Sequence, residues 1–152
     1  MATNKKSGWS TVILVATIIS LVVLIVSVIS LVVSLPAASA LAHDEAIKQG
    51  LSENDANLAS ALVIGSLVSA FAVGIVFDVM KVIGGFMFSL RGRGGMFCII
   101  ASAIAFASDI WSLVSNITNN AGALSIVVDV ISMLVSCLLF VACLMHRKEN
   151  KA

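Results

Sequence analysis

The sequence predicts an all-α protein, specifically a polytopic membrane protein built as a bundle of four transmembrane helices. Of its 152 residues, 60% are hydrophobic and only 11% are charged, whereas soluble domains have about a quarter charged residues. Four apolar stretches are each long enough to cross a bilayer core, which takes about 20 helical residues. Most charged residues lie between or beyond these stretches. We therefore expect a single membrane domain over residues 1–152 that contacts the lipid bilayer.

The first span is predicted at residues 10–35, which contain no charge. Small residues at Ala38, Ala40 and Ala42 also fit a signal-peptide cleavage site. The apolar run is much longer than the roughly 7–15 residues of a signal-peptide core, so an uncleaved helix is favoured. Hydroxylated residues recur every seven positions and share one face, which we expect to contact other helices: Ser20, Ser27 and Ser34.

The outer loop is predicted at residues 36–57, which are rich in acidic residues. Its first part favours a short amphipathic helix that stops at Gly50, since glycine commonly follows the last helical residue. Ser52 followed by Asp55 has the form of a capping box, which would begin the next helix.

The second span is predicted at residues 58–80. Small residues repeat at four-residue intervals on two faces, which favours close helix contacts: Ala61, Gly65 and Ser69 on one, and Ser66, Ala70 and Gly74 on the other. Asp78 and Lys81 follow at a spacing of three, where opposite charges can pair on a helix. We expect an interfacial ion pair there, with a buried functional pair as the alternative.

A cytoplasmic turn is predicted at residues 82–95. Gly84 and Gly85 weaken the helix there, and the Arg-Gly-Arg-Gly-Gly segment from Arg91 is typical of a tight basic connector. The third and fourth spans follow at residues 96–115 and 123–145.

Two acids lie inside the last two spans, Asp109 and Asp129. Both are expected at a depth of about 10 Å below the outer surface, at 1.5 Å per residue. Because a bilayer core does not hydrate carboxylates, they should face a polar interior. The polar stripes there contain Ser102, Ser125 and Ser132, and the two acids could share one proton.

Three interpretations of Asp109 and Asp129 stay open. They could bond to serines and fix the helix register, or form a proton or cation pathway. They could also be an assembly signal for a basic residue in a partner's transmembrane helix. The sequence does not separate these alternatives.

The three cysteines lie in apolar runs, without a CxxC pattern or a Cys/His cluster, so no metal site or cofactor is predicted. Buried small hydrophobic side chains are the simplest interpretation of Cys98, Cys137 and Cys143. Cys98 and Cys143 also fall near the predicted cytoplasmic helix ends, where reversible lipidation occurs, and are candidates for it.

Charge placement predicts the orientation. Seven of the nine basic residues fall in three places that a four-span chain puts on one side: Lys5 and Lys6, Arg91 and Arg93, and Arg147, Lys148 and Lys151. The positive-inside rule makes that side cytoplasmic. We therefore expect an integral membrane protein with cytoplasmic N- and C-termini.

This layout, with four spans and short outer loops, resembles tetraspan organisers of the MARVEL and claudin type in architecture. The outer loop at 36–57 has no Trp and no Cys, so it lacks the W…GLW…C…C signature of claudins. Small multidrug transporters also have four spans, but their key acid lies in the first helix, which is uncharged in this chain.

The sequence predicts a membrane organiser or a small subunit of a membrane assembly, without enzymatic activity. No histidine lies near the serines of the spans, so no nucleophile is placed beside a base. The expected partners are other transmembrane helices, in a homo-oligomer or a hetero-complex, and not nucleic acid. The alternative function is a small proton- or cation-coupled transporter or channel that uses the acids of spans three and four.

Overall fold

The computed structural model describes residues 8–118 and 122–149, and within these ranges the chain forms four α-helices and no β-strand. They are α1 (Gly8–Lys48), α2 (Glu53–Arg91), α3 (Gly95–Thr118) and α4 (Ala123–Glu149). The predicted all-α class is confirmed. All four helices are long and apolar enough to cross a membrane. Even α3 is about 36 Å long at 1.5 Å per residue, which exceeds the roughly 30 Å of a bilayer core.

Helix α1 is longer than the first predicted span, because it continues through Pro36 into the segment predicted as outer loop. The residues after Pro36 are rich in alanine, which has the highest helix propensity, and transmembrane helices tolerate proline. The predicted short helix of the loop is therefore the last part of α1.

The connection between α1 and α2 has the two signals that the sequence predicted, and both are confirmed. Gly50 has a positive φ of 83°, and its N–H donates to the carbonyl of Ile47, while that of Leu51 donates to Ala46. This is the Schellman pattern that closes a helix. The Ser52 hydroxyl donates to Asp55 Oδ2 at 2.6 Å and accepts from the Asp55 N–H at 3.3 Å, which caps the start of α2.

Helix α2 is also longer than predicted, since it passes through Gly84 and Gly85 and ends at Arg91. The connector to α3 is short and uses positive φ at Gly92 and Gly94, 64° and 83°. A Cβ at Gly85 would meet the Thr17 side chain, and one at Gly84 would lie 3.1 Å from the Cα of Cys98. In this structure the two glycines allow close helix approach and do not begin a turn.

The chain divides into two compact units, of which the first comprises Met1–Leu24 and Val76–Ala152. Its buried apolar core combines residues from all four of its helical segments: Ile13, Ala16, Phe88, Cys98, Val135, Leu139, Ala142 and Cys143. The Ser10 hydroxyl donates to the Ser89 carbonyl at 2.9 Å, which places the start of α1 beside the end of α2.

The second unit comprises Ile25–Ile75, which is the second part of α1, the turn, and the first part of α2. Large apolar side chains are exposed along it, such as Val33 at 72% and Leu62 at 66%. Within this unit, a Cβ added at Gly65 or Gly74 would have no described atom within 4 Å. The small-residue faces of α2 are therefore open within the unit.

The orientation prediction depends partly on residues without a described structure. Lys5, Lys6 and Lys151 lie outside the described residues.

Candidate functional site between helices α2, α3 and α4

Helices α3 and α4 form an antiparallel hairpin in the first unit. Near the start of α3 and the end of α4, Arg147 donates a hydrogen bond to the Met96 sulfur, and Cys98 forms a disulfide with Cys143. Polar contacts continue in the same register toward the end of α3 and the start of α4. This register determines which polar side chains of the two helices meet.

The two helices have the same polar spacing. An acid is followed three and seven positions later by a hydrogen-bonding side chain, in α3 as Asp109, Ser112 and Asn116, and in α4 as Asp129, Ser132 and Ser136. Positions separated by three and seven residues lie on one face of a helix. Each helix therefore has one polar stripe, and the stripes run in opposite directions.

The contacts between these stripes are reciprocal. Asp109 accepts hydrogen bonds from Ser132 at 2.9 Å and from Ser136 at 2.6 Å. Asp129 accepts hydrogen bonds from Ser112 at 3.2 Å and from the Asn116 amide at 2.5 Å. The arrangement has approximate two-fold symmetry, which relates α3 to α4. We call these contacts the reciprocal clasp.

The clasp supplies each carboxylate with two donors from the opposite helix. A carboxylate that leaves water needs such partners, because its desolvation is otherwise costly. A shift of α3 along α4 by one turn would separate both acids from their donors together. The clasp can thus determine the register of the hairpin as well as stabilise it.

A third helix adds a cation to one half of the clasp. Lys81 of α2 is only 2% exposed. Its ammonium lies 2.7 Å from Asp78 Oδ1 and donates to the Ser136 hydroxyl at 3.0 Å. Ser136 in turn donates to Asp109, so a continuous polar chain runs from Asp78 through Lys81 and Ser136 to Asp109.

This polar chain links side chains of three helices, three of them ionisable, in a mostly apolar environment. A low local dielectric strengthens each of its hydrogen bonds and makes an unpaired member costly. Lys81 offsets the charge of Asp78 directly and that of Asp109 through one hydroxyl. The chain could therefore stabilise the packing of α2 on the hairpin, or transfer protons along its hydrogen bonds.

The structure brings together some of the predicted site residues and separates others. Asp109, Asp129 and Ser132 belong to the reciprocal clasp. Ser102 is buried but donates to the carbonyls of its own helix, at Cys98 and Ile99. Ser125 is exposed in the first turn of α4. The two acids have separate donors, which differs from the shared proton site that the sequence suggested.

The sequence does not predict four residues of this site. Lys81 is not predicted to contact the clasp, and three side chains are not predicted as hydrogen-bond donors to the acids: Ser112, Asn116 and Ser136. The matching three-and-seven spacing of the two stripes is the sequence signal for the donors. Asp78 and Lys81 form the ion pair that their spacing predicts, but the Lys81 ammonium is buried against Ser136.

The cysteines bear on the lipidation prediction. Cys98 and Cys143 are fully buried in the core and joined in a disulfide, and a disulfide sulfur has no thiol to acylate. Lipidation at these two positions is therefore a prediction for the reduced chain alone. Cys137 is a free, exposed cysteine.

In the described part of the chain, no group of three or more His, Cys, Asp or Glu side chains is placed to hold a metal ion. Comparison of the chain with family models, with curated proteins and with solved structures found no match.

Proposed function

We propose that this protein is an integral membrane protein of the tetraspan type that acts as a structural subunit or organiser of a membrane assembly, without enzymatic activity. The observation that supports this function most directly is that the two small-residue faces of α2 are open within their unit. The sequence predicts close helix contacts around Gly65 and Gly74, and within its unit neither glycine has a described neighbour at the Cβ position. In lipid, such faces associate with other helices because their backbones can approach closely.

The internal use of the polar groups also supports a structural role. Asp109 and Asp129 each accept two hydrogen bonds from the opposite helix. Contacts of this kind order helices against one another.

Site-directed photo-crosslinking in native membranes tests the proposal. A photoreactive amino acid at Leu62, which is 66% exposed and one turn before Gly65, should form crosslinks to a helix of a second copy or of a partner. Substituting Gly65→Leu and Gly74→Leu together should reduce crosslinking at least about fivefold, because bulky side chains prevent close backbone approach.

The matched control is Val63→Leu with Val73→Leu, which adds bulk at exposed positions of the same helix. Control protein should crosslink like the wild type. If the wild type gives no crosslink, or if both double variants crosslink equally, the open faces are not assembly surfaces and the proposal is wrong.

The second candidate function is a small proton- or cation-coupled transporter or channel. The polar chain from Asp78 to Asp109 favours it, since intramembrane acids and lysines often mark ion pathways. The test is proton and cation flux into liposomes that contain purified protein, compared with the Asp109→Asn, Asp129→Asn double variant. Flux that is present in the wild type and lost in a folded variant would favour this function over the first.

A further inference from the structure

The two halves of the reciprocal clasp differ in one respect. At the Asp109 half, the hydroxyl of Ser136 donates to the carboxylate and accepts a hydrogen bond from the buried Lys81 ammonium. At the Asp129 half, among the described residues, no Lys, Arg or His side chain forms an ion pair with the carboxylate. Asp109 is thus linked through Ser136 to a buried cation, whereas Asp129 has no such link to a described cation.

The Asp129 half has the chemistry to receive a cation in the same way. Asn116 occupies the position that corresponds to Ser136, seven residues after the acid of its own helix. Its amide N–H donates to Asp129 at 2.5 Å, which leaves the amide oxygen as an acceptor. An asparagine amide and a serine hydroxyl can each donate and accept at once.

We infer that Asp129 and Asn116 form a docking site for the ammonium or guanidinium group of a partner protein's transmembrane helix. The cation would donate to the Asn116 oxygen and offset the Asp129 carboxylate, as Lys81 does at the related half. This inference rests on the proposed function as a subunit of a membrane assembly, and it names the chemistry of one partner helix.

We place the basic group on a different protein, because the described residues of this chain offer no second cation in a suitable position. Lys81 is the only basic residue of the described chain that lies away from helix ends and connections, and it is buried and paired with Asp78. The other basic residues lie near helix ends or in connections: His43, Lys48, Arg91, Arg93, His146, Arg147 and Lys148. The described residues of a second copy therefore provide no suitable cation.

The test uses the full-length protein in liposomes with synthetic transmembrane peptides of about 20 leucine and alanine residues. One peptide has a lysine about 10 Å below its end, a depth of about seven residues, and its control has norleucine there. Association is measured by energy transfer between dyes on peptide and protein. We expect the lysine peptide to associate about tenfold more tightly, a difference of about 1.4 kcal/mol.

Asp129→Asn should abolish this preference, and Asn116→Ala should reduce it. Glu53→Gln is the control, because it removes one exposed acid outside the clasp, and it should retain the preference. Size-exclusion profiles establish that each variant is folded. Equal association of both peptides with the wild type would overturn the inference, as would a preference that survives Asp129→Asn.

Different results would contradict the assembly function and the docking site. Crosslinking through α2 without any preference for the lysine peptide would overturn the docking site and leave the assembly function in place. A lysine preference without crosslinking through α2 would support the docking site and contradict the assembly face around Gly65.

Discussion

Lys81 shows how one residue changes its role when the helix around it is longer than expected. A span of about 20 residues places it at the membrane surface, where an exposed ion pair contributes little to stability. Because α2 continues to Arg91, Lys81 instead lies well before the helix end and is buried against Ser136. Its charge then matters, since removing one member of a buried pair leaves its partner uncompensated.

We expect Lys81→Met to lower the free energy of unfolding by about 3 kcal/mol, because Asp78 and Asp109 lose their common cation while the apolar stem is kept. Unfolding by sodium dodecyl sulfate in mixed micelles, followed by circular dichroism, measures this difference. Adding Asp109→Asn should recover at least about half of the loss, since the neutral amide needs no cation. An unchanged stability of Lys81→Met would show that the buried charges are not coupled.

Gly85 lies where α2 closely approaches α1, and a Cβ there would collide with the Thr17 side chain. We expect Gly85→Ala to destabilise the protein by about 2 kcal/mol through overpacking, measured in the same unfolding assay. Thr17→Ala in the same chain should recover part of the loss. Gly74→Ala is the control, since a Cβ at Gly74 has no described neighbour in its unit, and it should be neutral or stabilising. Equal effects of both glycine variants would contradict close packing at Gly85.

At the scale of elements, the sequence predicts the number and type of the helices well and their ends less well. Apolar length alone is sufficient to find four helices, and the local signals at Gly50 and Ser52 locate the first turn correctly. Pro36 and the Gly84–Gly85 pair suggest breaks that do not occur. The alanine-rich sequence after Pro36 offsets the helix-breaking effect of the proline. Packing against Thr17 and Cys98, which depends on tertiary structure, offsets that of the two glycines.

The candidate site can also be predicted only in part, because its contacts depend on tertiary structure. The polar stripes on α3 and α4, including Asp109 and Asp129, can be recognised from residue spacing. Which stripe residues meet depends on the register between two helices, which spacing within one helix does not determine. The contact of Lys81 with Ser136 also depends on how a third helix packs on these two, which no local pattern in the sequence predicts.

The α3–α4 hairpin is closed at one end by the Cys98–Cys143 disulfide. We expect purified, unreduced protein to incorporate one maleimide per chain when denatured, at Cys137, and three after reduction, as measured by intact mass spectrometry. Cys143→Ser should then expose a second reactive thiol without reductant, at Cys98. Three reactive thiols in the unreduced wild type would contradict the disulfide, and an added acyl mass at Cys98 or Cys143 would favour lipidation instead.

At the scale of the whole molecule, the described basic residues of the first unit other than Lys81 lie at one end: Arg91, Arg93, His146, Arg147 and Lys148. The Ser10–Ser89 hydrogen bond brings the start of α1 to the end of α2, and the Arg147–Met96 contact brings the end of α4 to the start of α3. The ends of four helical segments and the Arg91–Arg93 connector therefore lie together. The positive-inside rule would place this end in the cytoplasm.

The acidic segment that includes Glu53 and Asp55 should then lie on the other side of the membrane, because the predicted second span, residues 58–80, separates it from the basic connector. These 23 residues exceed the roughly 20 that cross a bilayer core. In a Cys137→Ala background, we expect Glu53→Cys to react with a membrane-impermeant maleimide in intact cells. Arg93→Cys should react only after the membrane is opened. Labelling of both positions from the outside would contradict a spanning α2, and the reverse pattern would invert the orientation while keeping the span.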